Sequence, residues 1–508
     1  MRRLVVLGAA LLACRPTVAP MPTTAPATAA TLAGGGPDTV RQAAIAVRSD
    51  AGAIAAIVRE GTGASSRAEA DLAYLTDVIG PRLTGTDGMR RANEWTVRKF
   101  REYGMDSTWL EAWRFGRGWQ RGPMTLRMVM PHERWLIGFS WAWAPGTNGP
   151  LVGPVVMLDA RTEAEFAERY AGKLRGAWVM TSPAMRMWNP DGPPMTARDS
   201  AARDSVRRAL FRQPDQAQLS YRRRIQSLLA AEGIAGVVNN GAKEFSLLTM
   251  SGSPSVILPF PTIVIPAETY MQFQRLLSAG ESVRLEANIS NSFGSDSVTQ
   301  YNTVAELRGT ERPDEVVLLG AHLDSWDLAT GTTDNASGSI AVLEAARILK
   351  SAGVRPRRTI RFALFSGEEQ GLFGSVEYAN AHAAELARYQ AVLVLDNGSG
   401  RIIGMSLQGR NELGNLWRDL FAPVNELGPF QVQRRNKGGT DHLPFLEYGV
   451  PAFNYDQLPR GYDHTHHSQV DTFDHGVPAD VAQAATVMAA TAYGLANLVE
   501  LLPRGRMR

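Results

Sequence analysis

Cysteine is almost missing from this chain: among 508 residues there is one, Cys14. No internal disulfide can form in the body of the protein, so its stability must come from packing. Long hydrophobic runs are missing too. No apolar stretch reaches the roughly 18 to 20 residues that a membrane-spanning helix requires, which excludes a membrane-embedded body. Nor does one sign of charge dominate. The formal net charge is +3, from 53 Lys and Arg against 50 Asp and Glu. The basic residues form no long run, so nucleic acid is not an expected partner. What is present is an ordinary water-soluble composition, 44% hydrophobic and 20% charged. The chain is long enough for two or more units that share a substantial core.

The single cysteine has a telling position. The stretch "MRRLVVLGAALLAC" holds two arginines, ten apolar or small residues from Leu4 to Ala13, and then Cys14. A charged start before an apolar run too short to span is the form of an export signal. The expected location is therefore outside the cytoplasm: periplasm or outer membrane for a bacterial lipoprotein, otherwise secreted. "LLAC" resembles the lipobox of bacterial lipoproteins, which implies lipidation of Cys14 and a membrane link through that anchor alone. A plain cleaved signal with an incidental cysteine is the alternative. Residues 15–37 are rich in Pro, Thr, Ala and Gly and nearly uncharged. They lack the large apolar groups needed to offset ordering entropy, and read as a disordered spacer.

From 38 to 118 the pattern is helical, with "AEADLAYLTDVIGPRLTGT" and "GMRRANEWTVRKFREYG" as clear segments. Gly80-Pro81 ends the first and Gly104 follows the second, as helix stop signals should. Residues 119–295 carry short β-rich runs: "GPVVMLDA", "GAWVMTS", "AGVVNNG", "PTIVIP" and "VRLEANIS". An arginine-rich segment at 186–225, read as helix and loop, interrupts them. This region reads as an inserted, mixed but β-rich domain. From 296 to 503 strands alternate with helices: "EVVLLGAHLDS", a helix from Ala336 to Lys350, "RTIRFALFSGEE", a helix near 371–387, and "AVLVLDNGSG". Such alternation predicts an α/β sandwich around a mixed, largely parallel sheet.

In open α/β sheets, sites form beyond the carboxyl ends of the strands. After "VVLLGA" come His322 and Asp324, with Asp334 following in "GTTDNASG"; after "TIRFALFSG" come Glu368 and Glu369; after "AVLVL" comes Asp396. Each has a bland reading when taken alone. His322-x-Asp324 is a polar loop pair, Glu368-Glu369 a solvated helix start, and Asp396-Asn397-Gly398 a turn. Asp334 is an N-cap for the helix carrying Ile340, Leu343 and Ala346. Together, five acids and one histidine on one rim would repel and take up protons unless a dication neutralised them. A dication with carboxylate and imidazole ligands is the expected answer.

The order His-x-Asp, Asp-Asn-x-Ser-Gly, Glu-Glu, Asp and His-Ser/Thr-x-x-Asp-Thr resembles the dinuclear zinc aminopeptidase and glutamate carboxypeptidase family, most of all its carboxypeptidase Q branch. "VIGPRLTGT", "NTVAELRG", "GAHLDSWD", "RPRRTIRFALFSGEEQG" and "HHSQVDT" carry the likeness, which runs from about residue 66 to 502. The resemblance implies a zinc-exopeptidase α/β sandwich with an inserted domain similar to a protease-associated domain. It also implies two Zn2+ ions. Asp334 would bridge them; His322 and Asp396 would complete one metal's ligands, and Glu369 and His467 the other's. Glu368 would be the general base and Asp324 would orient His322. Such a centre suits hydrolysis of dipeptides or short peptides with a free N-terminus: two metals activate a water and polarise the carbonyl, and no acyl-enzyme forms. The expected partners are small peptides, and the resemblance leaves a homodimer open.

Four of the eight histidines fall within "YDHTHHSQVDTFDH", residues 462–475. His467 heads "HSQVDT" and so takes the metal in the family pattern, whereas no Asp-Thr follows His464 at the required distance. His466, the first of the family's paired histidines, either lines the substrate pocket or merely shares the loop. His475 reads as surface. Asp441 and His442 in "GGTDHLPF" resemble a loop lining the site. The family carries an unusual cis peptide at the position of Asp334–Asn335. Cysteines that bridge the site loop in some relatives are missing, and the segment near 190–225 is an extra insert. Glutaminyl cyclase, a one-metal transferase of this fold, is disfavoured by the complete set of ligands. A non-catalytic binding or receptor module is disfavoured because neither a ligand nor the base is lost. A second zinc carboxypeptidase family shares the acid order but lacks Asp-Asn-x-Ser-Gly.

Overall fold

The computed structural model describes residues 50–181 and 216–505. The export signal, Cys14, the spacer and most of the arginine-rich segment lie outside the described residues. In chain order the chief strands are β1 (Ser107–Arg114), β2 (Met124–Met130), β3 (Leu151–Met157), β4 (Trp178–Met180), β5 (Gly236–Asn240), β6 (Thr262–Ile265) and β7 (Arg284–Ile289). Then follow β8 (Thr299–Leu307), β9 (Arg312–His322), β10 (Arg358–Phe365), β11 (Tyr389–Val394), β12 (Ile402–Ser406), β13 (Gln431–Gln433) and β14 (Ala452–Gln457). The chief helices are α1 (Ala51–Thr62), α2 (Asp87–Glu102), α3 (Ser337–Ser351), α4 (Phe373–Ala381) and α5 (Pro478–Ala496).

Unbroken apolar runs become strands covered on both faces. In the larger sheet, ordered β1-β8-β10-β9-β11-β14-β12-β13, the strands β10, β9, β11 and β14 are mutually parallel. Antiparallel pairing flanks them, β1 with β8, β8 with β10, and β12 with β14. The sheet is mixed with a parallel centre, as expected. One face packs Val317, Leu319, Phe362 and Leu393 against Leu343 of α3 and Met488 of α5. The other packs Leu318, Phe365 and Val392 against Tyr378 of α4. Two arginines interrupt apolar β10, and both are paired: Arg358 with Glu315 at 2.5 Å and Arg361 with Glu306 at 2.7 Å.

The chain leaves this sheet after β1 and rejoins it at β8. Between them it builds a second sheet, β2-β7-β3-β4-β5-β6, with short edge pieces at Arg134–Trp135 and Phe139–Ser140. Its β3 to β6 run parallel, so the inserted unit is itself α/β in character. Leu83, Trp113 and Trp326 from the first unit and Trp143, Leu248 and Met250 from the second form one apolar cluster. An apolar interface of this kind opposes independent motion of the two units.

Two helices differ from the sequence expectation. Residues 68–79 begin as α-helix at Ala68–Ala73 and widen to a π-helical turn at Tyr74–Ile79, stopping at Gly80 with φ +80°. The helix expected near 371–387 covers only Phe373–Ala381. It closes at His382, whose ring nitrogens lie 3.1 Å from Glu111 and 3.2 Å from Glu385. Burial lowers the pKa of His382, but the hydrogen bonds to Glu111 and Glu385 outweigh it and, against the opposing Arg361 charge, leave the value raised. A raised histidine stabilises the fold fully below its unfolded value and loses that contribution as pH rises through the folded one. The His382→Gln protein should therefore show a larger stability deficit at pH 6 than at pH 9 in urea denaturation. An equal deficit at both would remove the charge from the explanation.

Candidate metal centre

Three parallel strands deliver the polar groups to one rim. β9 ends in His322, β10 leads through Ser366 and Gly367 to Glu368 and Glu369, and β11 leads to Asp396. Gly367 makes the turn at φ +77°, where a Cβ would meet the Trp113 ring at 2.8 Å. The segment before α3 is drawn against the end of β11. Asn335 Nδ2 donates to the Leu395 carbonyl at 2.9 Å, and Asn335 Oδ1 accepts from Gly338 N at 2.9 Å. A Cβ on Gly338 would lie 2.3 Å from that same carbonyl. Asp-Asn-x-Ser-Gly is thus a close-approach motif. Asn335 does the capping, and Asp334 is left free to point into the rim. The Asp334–Asn335 peptide is cis, at the position where the resemblance put it.

Two sets of possible metal donors close to within 4.8 Å: His322, Asp334 and Asp396, and Asp334, His466 and His467. Asp334 belongs to both, through different oxygens. Its Oδ1 lies 3.3 Å from His322 Nε2, which is also 3.2 Å from Asp396 Oδ1. Its Oδ2 lies 3.6 Å from His467 Nε2 and 3.8 Å from His466 Nε2. Glu369 Oε2 is 2.9 Å from His467 Nε2. Glu368 is set back, 4.0 Å from His322.

The donor set fits zinc. Tetrahedral zinc, with bonds of about 2.0 to 2.2 Å, sets neighbouring donors roughly 3.3 to 3.6 Å apart. The separations around Asp334 match that spacing, while His467–Glu369 is a direct hydrogen-bonding distance. Asp334 Oδ2 and Glu369 Oε1 are buried without a hydrogen-bond partner, as oxygens reserved for a cation would be. Burial, followed for Glu369 by the Asp334 charge, holds the Glu368 and Glu369 carboxyls well above their ordinary range. Burial opposes a charge on His322, yet Asp396 and Glu368 raise it well above the usual imidazole value. A dication in place of those protons relieves the same repulsion.

The surroundings hold this rim in several ways that sequence reasoning missed. Arg82 is fully buried and donates to the carbonyls of Leu323, Thr330 and Gly331 at 2.7, 2.7 and 2.8 Å. It thereby shapes the loop between His322 and Asp334. Burial lowers it to about 10, against the raising charges of Asp471 and Asp324, so it stays a cation near neutral pH. Thr84 donates to Asp324 Oδ2 at 2.9 Å and accepts from Gly367 N at 3.0 Å. Asp471 accepts from Thr333 N at 2.7 Å and Asp334 N at 3.1 Å. Tyr462 is held neutral by burial and by the charges of Asp334, Asp396 and Glu369. Arg82, Thr84 and Asp471 all lie in quoted stretches, but nothing local marks them as buried partners.

Several expectations change. Asp324 meets His322 Nδ1 chiefly through its main-chain carbonyl, at 3.0 Å, with the carboxylate at 3.6 Å. That carboxylate instead accepts from the Glu368 and Glu369 N–H groups, both at 3.3 Å. Asp441 and His442 are fully buried, with Asp441 close enough to feel the charges of His322, Asp324 and Asp396. Burial pushes Asp441 up to about 7 and His442 down to about 4. His466 lies beside Asp334 with its ring stacked on His467 at 3.8 Å, while His464 and His475 are exposed. A cleft of about 550 Å³ lined by Leu83, Arg91, Trp119, Arg121 and Asp327 contains none of the donors. Asp334, Glu369 and His467 border a small void of about 10 Å³ beside Trp326.

Residues 302–492, which carry every donor named above, match peptidase family M28. They belong to it. The likeness extends beyond this segment. Carboxypeptidase Q of Rattus norvegicus is 27% identical over 445 residues, covering 85% of this chain and 86% of its own. The crystal structure of a peptidase M28 precursor from Shewanella amazonensis superposes with a TM-score of 0.71 at 25% identity, covering 90% of this chain and 99% of that one. A zinc aminopeptidase from Bacillus subtilis shares the fold at 20% identity and a TM-score of 0.59, over 84% of this chain and 93% of its own. Among the described residues no helix is long and apolar enough to cross a membrane.

Proposed function

We propose that the chain is a dizinc metallopeptidase that removes single residues from dipeptides or short peptides with a free N-terminus. The observation that carries this reading is the division of Asp334, whose two oxygens face separate donor sets 3.3 and 3.6 Å away. His322 and Asp396 would hold one ion, and Glu369 and His467 the other, with Asp334 common to both. When bound, such a pair lowers the pKa of water and polarises the scissile carbonyl.

The protein's own groups do the rest. Glu368 is partly buried at the edge of the rim, with its main-chain N–H fixed on Asp324. A carboxylate there takes the proton of the attacking water and returns it to the leaving amine. Asp324, Thr84 and Asp471 keep the donor loops in register, and Arg82 balances the surrounding acids. His466, half exposed at the rim, is placed to meet the substrate. The similarity to carboxypeptidase Q, a protein alike over most of its length, supports peptides as substrates.

The test is hydrolysis of a dipeptide panel and of aminoacyl anilides by the purified chain, before and after chelation. Chelation should abolish turnover and added zinc should restore it. Turnover of no peptide, or turnover indifferent to the chelator, would sink this reading. Cleavage of dipeptides without cleavage of anilides would define the substrate class.

A further inference from the structure

Among the described residues, the inserted unit meets the histidine segment through one loop. Residues 241–250 leave β5 and run along the segment that carries His466 and His467. Lys243 Nζ donates to the carbonyls of His464 and His466, at 3.2 and 2.5 Å. Met250 N donates to the His467 carbonyl at 2.9 Å. Gln469 closes the seam from the other side: its Oε1 accepts from Leu248 N at 2.8 Å and its Nε2 donates to the Ser246 carbonyl at 2.9 Å. Leu248 and Met250 are fully buried in the cluster that includes Trp326. The Trp326 ring in turn meets the His467 ring edge-on at 5.8 Å.

The backbone on both sides of this seam is strained. His467 sits at φ +57°, and Ala242, Phe245 and Ser246 at +59°, +58° and +59°. None is glycine, and a side chain disfavours the left-handed region. Such conformations persist only where the surroundings hold them. Across the seam Lys243 and Met250 hold the His466–His467 backbone, while Ser246 is held by Gln469 and by Glu268 of its own unit. In its strained conformation His467 turns Nε2 toward Glu369 and Asp334.

We infer that the 241–250 loop of the inserted unit is a positioning element of the metal centre. It fixes the backbone of His467, and so sets the zinc affinity of the position that His467 and Glu369 serve. This rests on the metal-centre reading above. It assigns the inserted unit a part in metal retention, carried by Lys243 and by its seam with Gln469, none of which reaches the donors directly.

The experiment measures zinc affinity rather than turnover. Wild type, Lys243→Met and Gln469→Leu, each as the full chain, are titrated with a competing zinc chelator. Partners of metal ligands typically change affinity about 10- to 100-fold. Each variant should release its first zinc equivalent that much more readily, while the zinc-free proteins melt at the same temperature. In a His467→Ala background, Lys243→Met should cost nothing further, because its effect passes through His467. Variants that hold zinc as tightly as wild type would overturn the inference, as would a loss undiminished in the His467→Ala background. A wild type that binds no zinc would bring down the metal-centre reading and this inference together. A wild type that binds zinc beside unchanged variants would bring down this inference alone.

Discussion

Asp334→Asn should empty both metal positions, not one. Its two carboxylate oxygens face different donor sets, and an amide offers one neutral oxygen where a shared ligand needs two anionic ones. The weakening should exceed the about 10- to 100-fold usual for an outer partner, so the protein should purify with almost no zinc and show almost no peptidase activity. The fold should survive. The main-chain N–H of this residue, which donates to Asp471 at 3.1 Å, is untouched, and asparagine keeps the side-chain shape. Zinc stoichiometry by mass spectrometry, with circular dichroism as a folding control, gives the answer. Retention of one tight equivalent would mean that Asp334 serves a single ion. The bridging assignment would then be wrong.

The rim was legible in the sequence because its chemistry follows its topology. Buried parallel strands are nearly all apolar, so the first acids and histidine after "VVLLGA", "TIRFALFSG" and "AVLVL" stand out where parallel strands converge. Asp-Asn-x-Ser-Gly was legible as a motif, but its cause was not. The motif exists because Asn335 and Gly338 both press on the Leu395 carbonyl, about 60 residues away in sequence. His467 was separated from its neighbours by its spacing to Asp471. The structure gives that spacing a reason: Asp471 clamps the Thr333 and Asp334 N–H groups, which lays the histidine segment against Asp334. Spacing alone does not explain why His466, only 0.2 Å farther from Asp334, is the lesser candidate. The contact with Glu369 makes that distinction.

What stayed hidden depends on partners far apart in the chain. Arg82 meets carbonyls 241 to 249 residues away, and Lys243 meets His464 at a separation of 221. A surface arginine and a buried one look alike in sequence, and nothing near Lys243 marks it as a seam. Asp441 and His442, read as part of a loop lining the site, are fully buried here, and nothing local in the sequence marks them so. The inserted unit was legible as a set of short strands, but not as a support for the site. That role appears only where its loop meets the histidine segment.

Glu368→Gln separates chemistry from metal binding. Glu368 lies 4.0 Å from His322 and outside both donor sets, so its loss should leave zinc content and KM near the wild-type values. Burial holds its carboxyl well above the ordinary range, and a general base must both take and return a proton. Glutamine fills the same space and keeps the main-chain bond to Asp324, but it cannot accept a proton. The kcat should therefore fall about 10²- to 10⁴-fold, the usual contribution of a positioned general base. Glu369→Gln should behave differently. Glu369 touches His467 at 2.9 Å, so its loss should first lower zinc affinity, and excess zinc should restore part of the rate. A Glu368→Gln protein within tenfold of wild type would remove the base from the mechanism. Restoration of that variant by zinc would recast Glu368 as a ligand, and the division of labour between the two adjacent glutamates would have to be reversed.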